Sequence, residues 1–500
     1  MPKTARLPYA LYRAAQVREL DRQAIERFEI PGALLMQRAG EAAFALACEL
    51  WGQARRIVVL AGTGNNGGDG FVFALAAYIA GLDVQVLQLG DRAALSGDAR
   101  HFAERWAQTG GPWEDFAGLP GDCDLIVDAM LGTGLHRELR GQFLQAVRQA
   151  NAHAAPKLAI DIPTGLHSDT GMALGAAVRA AATISFIGLK QGMFTGDAVD
   201  CCGEVFFDAL EVPAAVYASQ VLAARRLDWA KQSRLLTPRS RAAHKGHFGH
   251  VLVVGGDHGF GGAVRLAAEA AARCGAGLVS VATRAAHVGG MLAARPELMV
   301  HAVDHAHALE PLLARAGVVV LGPGLGTAAW GRELFELVLH SGRPLVLDAD
   351  GLNLLAERAA ELMPRSDWVL TPHPGEAGRL LSLCTAAVNE DRFDAALALH
   401  RRCGGIVVLK GAGSIVQSPG QAPPALCSEG NPGMASGGMG DVLSGIIGGL
   451  AAQGWDLSEA AELGVCLHGA AADRAAAKSG ERGLLAADLM PHLHALVNPR

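Results

Sequence analysis

The sequence predicts two successive α/β domains, the first of them doubly wound. Both halves alternate short β-branched runs with helix-length segments, as parallel sheets covered on both faces do. A basic stretch with few strand-like runs, between Leu227 and His247, separates the two series. The chain has 500 residues, enough for two large units, and its 63 glycines stand in a composition that is 50% hydrophobic. We therefore expect domains at residues 1–230 and 231–500.

The first half begins with an amphipathic helix over residues 14–28, where apolar side chains recur at near-helical intervals. Five apolar runs then predict the strands of one mostly parallel sheet, at residues 57–60, 84–87, 125–127, 158–160 and 184–186.

The second half repeats this pattern with six apolar runs, at residues 251–254, 278–281, 318–321, 344–347, 368–370 and 406–409. Alanine-rich segments such as residues 264–272 have high helix propensity. A further apolar helix is expected over residues 442–450, directly after a glycine-rich stretch.

Composition excludes several classes of function. Lys and Arg number 43 against 49 Asp and Glu, a net charge of −6 that provides no basic surface for nucleic acid or an anionic membrane. The longest apolar stretch, residues 442–452, is shorter than the ~20 residues of a membrane span. The N-terminus lacks a signal-peptide core, and nine scattered cysteines lack metal spacing. We expect a cytoplasmic protein that binds neither nucleic acid nor membrane.

Residues 62–67 form a G-x-G-x-x-G motif between the first strand and a helix expected to start near Phe71. The motif is typical of a Rossmann-like dinucleotide site, which leaves an oxidoreductase as one alternative. Asp69, however, places a carboxylate at the expected helix N-terminus, where a pyrophosphate would otherwise bind. The segment is either a ligand-binding loop or a structural turn in which Asp69 caps the helix.

Two aspartates follow later strands of the same half. Asp128 ends one strand and precedes the loop of residues 132–135, and Asp161 ends the next. Loops after parallel strands meet at one edge of the sheet, so both carboxylates should face one pocket. Either could instead cap its own loop. Their combination with Asn65 and Asn66 favours a site.

These motifs resemble the NAD(P)H-hydrate epimerase domain over most of residues 10–225. The resemblance implies that Asp161 is the catalytic acid/base and that Asn66, Asp128 and Thr164 hold a potassium ion, for which oxygen ligands are suitable. It also implies a set of hydrate-binding residues: Asn65, Asn66, Gly67, Gly68, Asp69, Gly132, Thr133, Gly134, Leu135, His136, Arg137, Glu138 and Asp161.

The second half carries its own glycine-rich motif, residues 430–441, which ends at Asp441 where a helix is expected to begin. Free N–H groups beside a carboxylate suit phosphoryl transfer, although Asp441 could be only a helix cap. Residues 410–414 follow a strand and could bind phosphate or form a hairpin turn. His373 and Glu376 end another strand, where His373 could be an ordinary loop histidine.

Together these motifs resemble the ribokinase-like superfamily, and within it the ADP/ATP-dependent NAD(P)H-hydrate dehydratases, over nearly all of residues 236–500. The supporting segments are residues 244–249, 261–263, 275–279, 322–326, 348–353 and 430–449. Kinases of the superfamily usually carry Asn-x-x-Glu where this chain has His373-Pro-Gly-Glu376, which favours the dehydratase.

The dehydratase resemblance implies two sets of binding residues. The hydrate would be bound by Ala263, Gly326, His373 and Asp441, with Asp441 also catalytic. The nucleotide would be bound by Lys410, Gly411, Ala412, Gly413, Ser414 and Gly440.

The two resemblances imply a bifunctional isomerase and lyase that repairs hydrated NADH and NADPH. One half would interconvert the R and S hydrates, and the other would dehydrate the S form with ADP and a magnesium ion, giving AMP and phosphate. We expect a homo-oligomer. A two-domain kinase for a small alcohol is the main alternative.

His301, His305 and His307 lack zinc spacing and are expected in a solvated connection.

Overall fold

A computed structural model describes residues 7–358 and 363–498. The chain divides into two compact units, Met1–Arg225 and Arg226–Arg500. Each has its own buried apolar core. Among the described residues, no helix combines the length and the apolar character needed to cross a membrane. All nine cysteines are free thiols.

The first unit is built on a seven-stranded parallel sheet, which confirms the predicted α/β class. Its strands are β2 (Arg56–Ala61), β3 (Asp83–Gln88), β4 (Trp113–Asp115), β5 (Leu125–Ala129), β6 (Lys157–Ile160), β7 (Ala182–Phe186) and β9 (Glu204–Asp208). Their order in the sheet is β4-β3-β2-β5-β6-β7-β9. The chain runs outwards from β2 in both directions, so the sheet is doubly wound with its switch point between β2 and β5.

Three short strands lie outside this sheet: β1 (Ala10–Tyr12), β8 (Leu189–Lys190) and β10 (Ala224–Leu227). β1 pairs parallel with β8 and antiparallel with β10. None was expected, because runs this short carry no periodicity. The edge strands β4 and β9 were also missed, since they are only partly buried and contain charged residues.

Helices cover the first sheet: α1 (Ala14–Glu26), α2 (Gly32–Leu50), α3 (Asn65–Ile79), α4 (Gly97–Gln108), α5 (Gly141–Ala152), α6 (Ala198–Cys201) and α7 (Ala214–Tyr217). The predicted start of α3 near Phe71 is wrong, because Gly64 is its N-cap residue. Asp69 therefore lies inside the helix and neither caps it nor marks its N-terminus. Glycine and asparagine have low helix propensity, which concealed this first turn in the sequence.

The described residues of the second unit form nine strands: β11 (His250–Val254), β12 (Leu278–Thr283), β13 (Met299–Ala302), β14 (Val318–Leu321), β15 (Leu345–Leu347), β16 (Trp368–Leu370), β17 (Ile406–Leu409), β18 (Ser414–Gln417) and β19 (Ala425–Cys427). They follow the order β13-β12-β11-β14-β15-β16-β17-β18-β19. β11 to β17 pair in parallel, whereas β18 pairs antiparallel with both β17 and β19. All six predicted strands are present.

The helices of this unit are α8 (Trp229–Gln232), α9 (Gly261–Arg273), α10 (Ala285–Ala294), α11 (Glu310–Arg315), α12 (Ala329–Leu339), α13 (Ala349–Glu357), α14 (Pro374–Leu381), α15 (Thr385–Glu390), α16 (Arg392–Cys403), α17 (Met439–Ala452), α18 (Leu457–Ser479) and α19 (Met490–Leu496). α17 begins at Met439 and not at Val442 as predicted, so Asp441 lies within its first turn. α17 packs closely on α9, where a side chain at Gly445 would overlap the backbone of Ala267.

Candidate active sites

A cavity of about 1070 Å³ opens beside the switch point of the first sheet. Its wall includes the first turn of α3, the segment of residues 130–140 after β5, and Asp161 at the end of β6. Every residue of the first half predicted to bind the hydrate lines this cavity except Gly67 and Gly68. Those two glycines have a packing role, since a side chain on Gly67 would overlap the backbone of Gly62, and one on Gly68 would overlap Met36.

Asp161 forms an ion pair with Lys190 at the edge of the cavity. The Lys190 side chain is 0% exposed, and its ammonium also donates to Ser185 Oγ at 2.9 Å. Asp161 has a positive φ of 68°, a left-handed conformation that aspartate adopts more readily than most residues. Lys190 was not predicted, because a single lysine in a two-residue strand matches no motif.

Four further carboxyl side chains line the same cavity, those of Asp21, Asp69, Asp98 and Glu138. Burial, followed by the charges of Asp161 and Asp21, raises the pKa of Asp69 well above its ordinary value. Burial also raises the pKa of Asp21. The cavity thus places Asp161, ion-paired with Lys190, near two carboxyls, Asp21 and Asp69, whose pKa values burial raises.

Of the predicted potassium ligands, Asn66 lines this cavity, whereas Asp128 and Thr164 are fully buried and contact each other. Asp128 Oδ2 accepts from Thr164 N at 2.7 Å, and Asp128 Oδ1 accepts from Thr164 Oγ1 at 2.7 Å. Burial raises the pKa of Asp128 to about 6. Asn66 contacts neither residue directly by hydrogen bond, but both polar atoms of its buried amide have no partner. A buried carboxylate, a hydroxyl and an unpartnered amide oxygen are donors that suit a hard cation.

No group of three or more His, Cys, Asp or Glu able to hold a metal ion occurs within the described part of the chain. The expectation of a solvated connection is wrong for His301, which lies in β13 and is half-buried. His305 and His307 follow that strand, are exposed, and stack with ring centres 6.0 Å apart.

The second unit gathers three charged side chains near the start of α17. Lys410 Nζ lies 2.6 Å from Asp348 Oδ1 and 3.9 Å from Glu376 Oε2. A Cβ atom on Gly440 would come within 3.1 Å of the Lys410 ammonium nitrogen and 3.6 Å of Asp348 Oδ2. The first turn of α17 therefore faces this cluster. Asp348 stands in the segment of residues 348–353 that carries the resemblance, but nothing in the sequence indicated its ion pair with Lys410.

Asp441, which is half-buried, adds another carboxyl to the cluster. Burial, followed by the charge of Asp348, raises the pKa of Asp441 to about 7. Burial likewise raises the pKa of Glu376 to about 7. The first amides of α17 have no intrahelical acceptor by position, so donors and a titratable carboxyl lie at one helix end.

The other predicted hydrate ligands of this unit lie on neighbouring loops. His373 is the N-cap residue of α14, where its Nδ1 accepts from Gly375 N at 3.0 Å, so it has a structural role as well. Gly326 N donates to Asp350 Oδ2 at 2.9 Å. Asp350 is one of the carboxylates that raise the pKa of Asp441, which places Gly326 near the cluster. Ala263 lies in the first turn of α9.

Residues 410–413 form the turn between β17 and β18, so the hairpin interpretation of this segment is confirmed. The Lys410 side chain is directed at the carboxylates, and its backbone N–H donates to Pro372 O at 2.9 Å. Gly411, Ala412, Gly413 and Ser414 follow on the same turn.

Comparison with known proteins decides the family. One family model, described as NAD(P)H-hydrate dehydratase, matches residues 251–494, and a second, YjeF-related protein N-terminus, matches residues 32–192. The bifunctional NAD(P)H-hydrate repair enzyme of Coxiella burnetii is 49% identical over 490 residues, covering 98% of this chain and 99% of that protein. The Escherichia coli enzyme is 44% identical over 496 residues, covering 99% and 95%. This chain belongs to the bifunctional NAD(P)H-hydrate repair enzymes.

The solved structures agree with this family for the second unit of the repair enzyme. A ribokinase-like superfamily protein from Enterococcus faecalis is 29% identical, with a TM-score of 0.51, and covers 56% of this chain and 96% of that chain. The predicted family and the ribokinase-like fold are both confirmed. The two resemblances therefore identified the repair enzyme correctly, and the kinase and oxidoreductase alternatives are set aside.

Proposed function

We propose that the two sites described above carry the two steps of nicotinamide nucleotide repair. The cavity of the first unit would interconvert the R and S forms of hydrated NADH and NADPH. The cluster at the start of α17 would dehydrate the S form with ADP, giving AMP and phosphate. The observation that supports this most strongly is the half-buried Asp441, which lies in the first turn of α17 and within range of the charges of Lys410, Asp348 and Glu376.

Epimerisation needs one proton carrier near the hydrated ring carbon. The lone pair of the ring nitrogen expels the hydroxyl group as water once a protonated carboxyl donates a proton to it. Water then adds to the opposite face of the resulting cation and returns a proton to the carboxylate. We assign this exchange to Asp161, with Lys190 holding its carboxylate towards the cavity.

Asn66, Asp128 and Thr164 would hold the potassium ion. When bound, the ion would place a positive charge near the buried carboxylate of Asp128 and would be coordinated by the otherwise unpartnered Asn66 amide oxygen. Crystals grown with a heavier alkali ion should show anomalous density between these residues. An absence of density there would contradict the assignment.

Dehydration needs a better leaving group than hydroxide. The Asp441 carboxylate would take the proton of the substrate hydroxyl, whose oxygen attacks the β-phosphorus of ADP and displaces AMP. The amides of the first turn of α17 would stabilise charge on the transferred group. Phosphate then leaves the ring as a ring proton is lost.

Magnesium would enter this site with the nucleotide, whose phosphate oxygens would hold it. The described residues form no separate magnesium site. Asp348 is ion-paired with Lys410, and no group of three or more His, Cys, Asp or Glu side chains is arranged to hold a metal ion. The ion would neutralise charge on the phosphates during transfer.

The decisive experiment incubates the full-length protein with mixed R and S hydrates of NADH and with ADP, and follows recovery of the absorbance of reduced cofactor. Complete recovery of both forms supports the proposal, since it requires epimerisation as well as dehydration. Recovery of the S hydrate alone would contradict the assignment of epimerisation to the first unit. Consumption of ADP without recovered cofactor would favour a kinase acting on another alcohol.

A further inference from the structure

Arg392, the first residue of α16, lies beneath the turn that joins β17 and β18. It is 4% exposed, and its Nη2 donates to three carbonyl oxygens of the turn, those of Leu409 at 3.3 Å, Lys410 at 3.3 Å and Gly413 at 3.1 Å. Its buried Nε has no hydrogen-bond partner. No ion pair joins Arg392 to a carboxylate of the described residues, unlike the nearby Lys410.

A buried cation without a counter-ion is costly for a protein to maintain. Burial lowers the pKa of Arg392 to about 10, so the guanidinium is charged at neutral pH although its environment disfavours the charge. An anion placed near the turn would offset this cost. A buried arginine that contacts only carbonyl groups therefore points to an anionic ligand.

The carbonyl contacts also orient the peptide groups of the turn. No peptide bond in the described chain is cis, and in a trans peptide the C=O and N–H groups point in opposite directions. Because the Lys410 carbonyl faces Arg392, the N–H of Gly411 faces the other side of the turn. A side chain at Gly411 would overlap the guanidinium, so glycine permits this close approach.

We propose that Arg392 is a positioning residue for the nucleotide. It holds the turn of residues 410–413 so that backbone N–H groups face the phosphates of a nucleoside diphosphate, and its positive charge attracts those phosphates from beneath. This inference rests on the proposed binding of ADP to the second unit. It assigns a role to a residue that carries no sequence motif.

The test compares full-length wild-type protein with Arg392→Met and Arg392→Lys. Loss of one charge-assisted contact should raise the KM for ADP by about tenfold or more in Arg392→Met, with little change in the KM for the hydrate. Arg392→Lys keeps the charge and should show a smaller rise. Calorimetric titration should show that Arg392→Met weakens ADP binding more than adenosine binding, because the charge acts on the phosphates.

Arg365→Met is the matched control. Arg365 also donates to a backbone carbonyl, that of Leu339 at 2.9 Å. It precedes β16, however, so it lies at the amino ends of the parallel strands, whereas the turn of residues 410–413 lies at their carboxyl ends. This variant should keep its KM for ADP even where its melting temperature falls.

An unchanged KM for ADP in folded Arg392→Met would overturn the proposal. Should that variant fail to fold, hydrogen exchange on the wild type decides the question, because bound ADP must protect the amides of residues 410–414. No protection of these amides would also overturn it. Wild-type protein that neither binds nor uses ADP would refute the proposed function instead.

Discussion

The Asp441 carboxyl shares its surroundings with three other acids, Asp348, Asp350 and Glu376, and with one lysine. Burial and these negative charges raise its pKa to about 7, whereas Lys410 opposes the shift. A general base works best when its pKa lies near the working pH. This aspartate therefore has the acidity that the proposed proton transfer requires.

The pH dependence of dehydration follows from this shift. The base must be ionised, so kcat/KM for dehydration should rise with pH through about 7 and level off above it. Glu376, whose pKa burial also raises to about 7, contributes to the same limb of the profile. Stopped assays at a series of pH values check this, and a flat profile from pH about 5.5 to about 8.5 would contradict it.

Replacing Asp441 should separate catalysis from stability. Asp441→Asn removes the base but keeps a side chain of the same size, so dehydration should fall by about 10²-fold or more while the melting temperature stays near that of the wild type. Asp456→Asn is the control, since Asp456 caps the next helix by accepting from Ser458 N at 2.8 Å. Near-normal turnover of Asp441→Asn would reject Asp441 as the base.

The Asp161–Lys190 pair supports a second prediction. Asp161→Asn should lower epimerisation by about 10²-fold or more, because an amide cannot exchange the proton, and dehydration of the S form should continue. Lys190→Met should lower epimerisation as well, because the carboxylate loses its partner. Lys157→Met is the control, as Lys157 donates to His153 O at the other end of β6. A normal rate of epimerisation in both Asp161→Asn and Lys190→Met would show that this ion pair does not take part in the reaction.

At the scale of elements, apolar runs predicted the buried strands well, and glycine-rich segments predicted the helix starts poorly. α3 and α17 each begin earlier than expected, at Asn65 and Met439. In both cases close packing overrides weak local propensity, and close packing is a tertiary property. Tertiary contacts also limited prediction of the sites. Lys190 and Asp348 were missed because their ion-pair partners, Asp161 and Lys410, are distant in sequence.

The contact between α17 and α9 can be tested with a pair of glycines. Gly445→Ala should lower the free energy of unfolding by about 1–3 kcal/mol, because the new methyl group would overlap the Ala267 carbonyl. Gly289→Ala, in the exposed face of α10, meets no atom within 4 Å and should stabilise by about 0.5–1 kcal/mol. Urea denaturation measures the free energy of unfolding of both variants. Equal changes in the two variants would show that α17 and α9 can move apart to make room for the new methyl group.

At the scale of the whole molecule, the position of the domain boundary has a measurable consequence. The second compact unit starts at Arg226, whereas the sequence placed the boundary after residue 230. Leu227 is 2% exposed within the core of the second unit, and Trp229 N donates to Glu429 Oε1 at 2.8 Å. These contacts belong to the fragment of residues 226–500 and are lost from residues 231–500.

We therefore expect the fragment of residues 226–500 to dehydrate the S hydrate and to exceed residues 231–500 in stability by about 2 kcal/mol, the scale of one buried leucine. The fragment of residues 1–225 should epimerise alone. Denaturation midpoints and the two activity assays check this. Identical midpoints for the two longer fragments would mean that residues 226–230 contribute nothing to the second core.

The close packing at glycine has a genetic consequence. Every single-base missense change in a glycine codon introduces a side chain, and this chain has 63 glycines where about 35 would be average for its length. Several of them, such as Gly40 between α2 and α3 and Gly449 between α17 and α9, face neighbouring backbone or side chains with no space for a methyl group. Saturation mutagenesis should therefore show deleterious alleles at these helix contacts as well as at catalytic residues, while codons for exposed glycines such as Gly289 tolerate change.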